Sequence, residues 1–219
     1  MAIILCLETA TTNCSVAIAV DGEIKAIREE NNQKFSHAEK LHIFIDEVLK
    51  EAKIDKKNLD AVAVSKGPGS YTGLRIGVSA AKGLCFALNI PLISTPTLEV
   101  LVQQVQCENC FIIPLLDARR MEVYSAVFNS EKKQIRETKA EILNENSFID
   151  YLKEGKTIFI GDGALKFKEI CKIENSIFQL DAFPSSTDMA CLAEAKYKIS
   201  DTENVAYFEP YYLKEFMLS

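Results

Sequence analysis

Two short runs head the list of residues that could do chemistry. Glu8-Thr9-Ala10-Thr11-Thr12 lies near the start of the chain and Asp117-Ala118-Arg119-Arg120 past its middle, each placing a carboxylate at the head of a polar run between apolar ones. In a tight hairpin turn this arrangement can bring main-chain N–H groups to a phosphate. That chemistry needs bare backbone, which glycine supplies best. Ala10 stands where a glycine would help, and the second run has no glycine and sets Arg119 and Arg120 where the main chain would have to be uncovered. Glu8, Thr9, Thr11, Asp117 and Arg119 are therefore expected to mark phosphate-type hairpins that now serve structure, with the arginines still able to hold an anion through their side chains. Glu8 and Asp117 as paired carboxylates for acid–base work is a second option, which needs a separation that spacing along the chain does not supply.

A third run, Gly67-Pro68-Gly69-Ser70, opens a helix, and helix N-termini can face an anion. It lacks the P-loop's lysine, because Gly73 is followed by Leu74-Arg75. Ser70 sits in Gly-Ser-Tyr and not in a Gly-x-Ser-x-Gly elbow, so nucleophilic catalysis is not expected. The plain reading is a strand-to-helix turn with Thr72 capping the helix. Within that helix Gly73, Gly77 and Ala81 recur every four residues, and an interior glycine costs about 1 kcal/mol relative to alanine. The stripe must admit a close backbone, either an internal strand or a second protein. Arg75, Ser79 and Lys82 fall on one side, expected to be a solvated face or an interface ion pair.

Metal chemistry is poorly supplied. The two histidines, His37 and His42, are five apart, about 140° around a helix, whereas two ligands on one helical face want a separation of four. His37 reads as a first-turn surface residue of a capping box, Ser36-His37-Ala38-Glu39. Seven cysteines are an odd number and point to reduced, mostly buried thiols. Cys107 and Cys110 form a lone C-x-x-C without the context of a redox or zinc motif. Gly161-Asp162-Gly163 reads as a turn.

The elements that must position these residues follow from hydrophobic periodicity. Strands are expected at Ile3–Glu8, Cys14–Val20 and after the Asp21-Gly22 turn, then a helix whose apolar stripe is Leu41, Phe44, Ile45, Val48 and Leu49. A strand at Leu59–Ser65, the glycine-striped helix, a strand at Ile90–Ser94 and a helix at Thr97–Gln106 complete a β-β-β-α-β-α-β-α order. The same order is expected again: strands at Phe111–Leu116, Glu122–Phe128 and Gln134–Ile142, a helix near Phe148–Lys153, a strand at Thr157–Ile160, a helix from Ala164, a strand near Ile177–Leu180 and a helix at Ser186–Lys198. Two α/β halves are predicted, 1–106 with 205–219 and 107–204, with the aromatic tail Pro210–Phe216 packing back on the first. Lys and Arg total 25 against 31 Asp and Glu, a net charge of −6, which argues against a protein that grips nucleic acid by itself. No basic leader and no run of membrane-spanning length is present, so a cytoplasmic protein is expected.

Written as two such units, each with a hairpin turn beginning at an acidic residue, the chain resembles the actin-like ATPase and sugar-kinase superfamily. "LCLETATTNCSVAI", "FSHAEKL", "GPGSYTGLRIGVSAAKGL" and "LLDARRMEVYSAVF" resemble the TsaB family, also called YeaZ, over nearly the whole chain. The resemblance implies two actin-like, ribonuclease H-like subdomains. It also implies a catalytically silent subunit that binds and activates the TsaD transferase, which places threonylcarbamoyl on the adenosine beside the tRNA anticodon. TsaD as heterodimer partner, a TsaE-type ATPase as third protein, a homodimer when alone, tRNA reached only through the complex, and no cofactor or metal complete what it implies. It tips the glycine stripe towards a second protein, with an interface of His37, Leu41, Ile45, Gly73, Leu74, Arg75, Gly77, Val78, Ala81 and Lys82. Two alternatives stand beside it: an ATP-dependent small-molecule kinase or acyl-transfer enzyme using Glu8 and Asp117 with magnesium, and a metallopeptidase homologue, which the histidine spacing disfavours.

Overall fold

The computed structural model describes residues 1–31 and 37–214. Ser36 of the expected capping box and the end of the expected tail segment lie outside the described residues. The chain divides into two compact units: Met1–Val100 with Pro184–Tyr212, and Leu101–Phe183 with Leu213 and Lys214.

The first unit is built on a five-stranded sheet in the order β3-β2-β1-β4-β5, from β1 (Ile3–Glu8), β2 (Asn13–Val20), β3 (Glu23–Asn31), β4 (Ala61–Gly67) and β5 (Leu92–Pro96). β1 pairs antiparallel with β2 and parallel with β4, and β4 pairs parallel with β5. Such a central strand is covered on both faces and so reads as a continuous apolar run. Leu5 and Leu7 face one side, where they meet Leu41, Ile45 and Val48 of α1 (His37–Ala52) and Val78, Ala81 and Cys85 of α2 (Tyr71–Leu88). Ile4 and Cys6 face the other, against Met189, Ala190 and Ala193 of α6 (Ser186–Lys198). Between these elements lie a 3₁₀ turn at Lys56–Asn58 and the short helix α3 (Thr97–Val102).

The second unit repeats the arrangement in the order β10-β9-β6-β7-β8, from β6 (Phe111–Asp117), β7 (Glu122–Asn129), β8 (Gln134–Ile142), β9 (Thr157–Ile160) and β10 (Ser176–Gln179), with α4 (Ile149–Glu154) and α5 (Ala164–Ile170). Its core gathers Ile113, Leu115, Val123, Phe148, Phe159 and Phe167, and the Phe159 and Phe167 rings meet edge to face at 4.8 Å.

The expected α/β fold of two repeated units is the one formed, but β4 and β5 each start and end two residues later than expected, and two elements after them also differ. α3 ends at Val102, short of Gln106. α6 follows the second half in sequence yet packs on β1, β2 and β5, so the predicted boundaries at 106 and 204 move to 100 and 183. The apolar face of α6 shows that it must be buried, but not on which sheet.

The segment after α6 is tied to the first unit. Glu203 N–H donates to Leu92 O at 2.8 Å, Tyr211 N–H donates to Lys66 O at 2.6 Å, and the Tyr71 and Tyr212 rings lie 5.0 Å apart. Among the described residues no helix is long and apolar enough to cross a membrane.

Candidate functional site

The β1–β2 turn is turned inward. Glu8, Thr9 and Ala10 are at most 1% exposed. One Glu8 carboxylate oxygen accepts the Ala10 N–H at 2.7 Å and the other accepts the Ser65 hydroxyl. Burial pushes the Glu8 carboxyl up to about 7, with the Ser65, Ala10 and Thr9 hydrogen bonds pulling the other way. Thr9 Oγ1 donates to Gly73 O at 2.8 Å, and Ser70 N–H donates to Ala10 O at 2.7 Å. Thr11 Oγ1 accepts the Asn13 N–H at 3.2 Å, while Thr11 O accepts a hydrogen bond from His37 Nε2 at 2.7 Å. Two donors of this turn, the Ala10 N–H and the Thr9 hydroxyl, are thus engaged by the chain itself.

The Gly67–Ser70 loop is held by the same turn. Gly67 takes φ +108°, and a Cβ there would crowd Tyr211 O. A Cβ on Gly69 would overlap Ala10 O, and on Gly73 it would overlap Thr9 O. At Gly77 it would overlap the Thr9 hydroxyl. Ala81 is fully buried in the core. The close backbone demanded by the glycine stripe is therefore the chain's own turn, which corrects the expectation that the stripe admits a second protein. Ser70 caps α2, its Oγ accepting the Gly73 N–H at 3.2 Å. The expected cap, Thr72, is exposed instead.

The sequence-derived interface set divides by burial. His37, Leu41, Ile45, Leu74 and Val78 are at most 4% exposed, so these residues serve the core. His37 in particular is not the surface residue expected of a first turn: its ring is inserted against the β1–β2 turn, where burial holds its pKa below the usual imidazole value and the Thr11 bond opposes that shift. Only Arg75 and Lys82 reach the surface. The Arg75 guanidinium lies 4.4 Å from the centre of the Tyr71 ring. Lys82 donates to Ala206 O at 3.2 Å and Phe208 O at 2.8 Å, so it is bound by the chain's own tail. The residues that do face outward along α2 are Thr72, Arg75, Ser79, Gly83, Phe86 and Ala87. Phe86 is 84% exposed, and a Cβ on Gly83 would meet nothing within 4 Å. On α1, Ile43 is 52% exposed. The signal for this face is in the sequence, since Phe86 follows Gly83 by three and Ser79 by seven.

In the second unit the β6–β7 turn faces solvent. Asp117 is exposed, accepts the Arg119 N–H at 2.6 Å and pairs with Lys166 at 2.9 Å. Asp162 accepts the Asp117 N–H at 2.9 Å, and burial raises its pKa. Gly161 and Gly163 are needed because a Cβ on either would press on Leu115 O. Arg119 and Arg120 are exposed. The Gly161-Asp162-Gly163 turn is thus a clamp on β6.

The remaining candidates carry no site. Among the described residues no group of three His, Cys, Asp or Glu side chains is placed to hold a metal. Cys6, Cys14 and Cys85 are buried, which pushes their thiols up to about 12, 11 and 11. Cys107 and Cys110 are joined as a disulfide with Cα atoms 6.2 Å apart, which departs from the expectation of reduced thiols throughout.

Comparison with known proteins places these observations. The family model described as "TsaD: tRNA N6-adenosine threonylcarbamoyltransferase" matches residues 29–214. The tRNA threonylcarbamoyladenosine biosynthesis protein TsaB of Haemophilus influenzae is 30% identical over 225 residues, covering 96% of this chain and 93% of that protein. The TsaB protein of Escherichia coli is 29% identical over 223 residues, covering 96% and 94%. The solved structure of YeaZ from Pseudomonas aeruginosa superposes with a TM-score of 0.83 at 24% identity, covering 97% of this chain and all of that one.

Proposed function

From the premise that the chain belongs to the TsaB family of tRNA threonylcarbamoyladenosine biosynthesis proteins, with their actin-like fold of two subdomains, we propose that it is a non-catalytic subunit that binds a TsaD-type transferase and holds it in its active arrangement. The observation that carries this reading is the inward closure of the β1–β2 turn. The Ala10 N–H is taken by the Glu8 carboxylate and the Thr9 hydroxyl by Gly73 O, donors that an actin-like kinase would keep free for phosphate. The same closure speaks against a kinase or acyl-transfer enzyme built on Glu8.

The partner would dock on the outward faces of α1 and α2. Ile43 and Phe86 supply exposed apolar area there, and Gly83 leaves α2 bare enough for a second helix to come close. A subunit of this kind acts by population shift, binding the active conformation of its partner more tightly than the inactive one. A TsaE-type ATPase as third component, self-pairing through the same face in the absence of the transferase, and contact with tRNA only through the assembly belong to the same proposal.

The test is threonylcarbamoyl transfer to tRNA by a TsaD-type transferase, with the ATPase and the activated donor supplied, measured with and without this chain. Transfer that depends strongly on the chain is the expected result. Transfer at full rate without it would overturn the proposal.

A further inference from the structure

The β6–β7 turn is built against steric preference. Arg119 and Arg120 both take positive φ, 72° and 49°, where Asn-Gly or Gly-Gly would be the easy choice. Backbone of this kind persists only when its surroundings hold it, and such positions cluster where side chains must be presented to a ligand. Ala118 N–H donates to Glu122 O and Glu122 N–H to Arg119 O, both at 3.1 Å. The Arg119 N–H is fixed by Asp117, and Lys166 spans the turn from Asp117 Oδ2 at 2.9 Å to Glu122 O at 3.2 Å.

The cations that hold the turn also spend its acids. Lys166 pairs with Asp117, and Lys214 pairs with Glu122. Among the described residues neither the Arg119 nor the Arg120 guanidinium has a carboxylate partner, on a chain of net charge −6. The same end of the sheet carries Met121 at 38% exposure, Ile142 at 70% and Leu165 at 52%. Leu143 N–H donates to Met121 O at 2.8 Å, Ile142 is the register partner of Glu122, and Leu165 precedes Lys166 in the first turn of α5. Arginine and methionine beside exposed aliphatic side chains are the composition of protein interfaces, whereas phosphate-backbone surfaces are lysine- and arginine-rich throughout.

We propose that this end of the second unit is a docking surface for an acidic, aliphatic protein segment, one that sets carboxylates against Arg119 and Arg120 and apolar side chains against Met121, Ile142 and Leu165. The surface is wholly within the second unit, so it is distinct from the α1 and α2 faces and stands or falls without them.

The experiment titrates the whole chain, with labelled Met, Ile and Leu methyl groups, using a synthetic peptide of alternating Glu and Leu, the same peptide with Gln for Glu, and unmodified tRNA. Saturable shifts at the Met121, Ile142 and Leu165 methyls are expected with the Glu peptide. Binding should weaken by about tenfold or more with the Gln peptide, and likewise for the double variant Arg119→Asn with Arg120→Gly. That variant makes the turn sterically easier, so its melting temperature should hold or rise while binding falls, a split that a merely structural role for the arginines would not give. No saturable shift with the Glu peptide, or equal affinity for the Gln peptide, would overturn the proposal. Tighter binding of tRNA at the same methyls would also overturn it and mark an RNA surface instead.

Discussion

The Thr9 hydroxyl donates to the Gly73 carbonyl oxygen at 2.8 Å, and it does so across a gap that only glycine at 73 and 77 leaves open. One contact thereby latches the β1–β2 turn to helix α2 and explains why an 18-residue helix tolerates glycines that cost it intrinsic stability.

Gly77→Ala should therefore destabilise the fold by roughly 1–3 kcal/mol, since overpacking a close contact costs that much and outweighs the gain in helix propensity. Adding Thr9→Ala removes the clashing hydroxyl and should restore part of the loss. Urea denaturation of both single variants and the double variant checks this, and simple additivity would show that Thr9 and Gly77 do not press on one another.

The Glu8 carboxyl, raised by burial from its ordinary 4.5 to about 7, makes stability depend on pH with a definite sign. The folded state holds the proton more tightly than the unfolded one, so this contribution is full below about 4.5, declines as the pH rises, and is lost above about 7. Its size is at most roughly 3 kcal/mol. Glu8→Gln keeps an acceptor for Ala10 and a donor for Ser65 without the titration. Denaturation midpoints measured from pH 5 to 8.5 should fall for the wild-type chain relative to the variant. Parallel curves would remove Glu8 as the cause.

Gly83 offers a contrast with Gly77 on the same helix. A Cβ there meets nothing, so Gly83→Ala should stabilise the chain by up to about 1 kcal/mol. Gly83→Leu should leave the fold intact and weaken pairing with a TsaD-type transferase by about tenfold or more. Calorimetry for stability and titration for affinity read the two effects separately, and unchanged affinity would take this face out of the interface.

Phe86→Asp tests the same face by charge. With the side chain 84% exposed, folding stability should shift by no more than about 0.5 kcal/mol, while partner affinity drops. Loss of folding together with binding would mean that Phe86 serves the first unit itself.

Ser70→Ala removes the acceptor for the Gly73 N–H and should cost about 1 kcal/mol, whereas Thr72→Ala should cost little because Thr72 caps nothing. Thermal melts of the two variants distinguish the caps.

Much of the fold was legible because its signals are local. Gln134–Ile142, Thr157–Ile160 and Ser186–Lys198 have the bounds that periodicity and capping residues give them. What each buried face packs against is not local. The small stripe of α2 reads the same whether its neighbour is Thr9 or another protein, and the apolar face of α6 reads the same on either sheet. His37 follows the same logic: a first-turn position says surface until a turn from 26 residues upstream is laid on top of it. The glycines identified where a close approach occurs, and the structure supplied its partner.

The two sheets share one strand order, yet their first hairpins have parted ways. The first is sealed into the interior by Ser65, Ser70 and Gly73, and the second stands in solvent with two arginines on it. The repeated halves therefore carry unequal evolutionary freedom. In a saturation mutagenesis screen read out by folding alone, positions 8 to 10 should accept almost nothing, while 119 and 120 should accept glycine and asparagine readily. Only a screen read out by binding would then reveal a reason to keep the arginines.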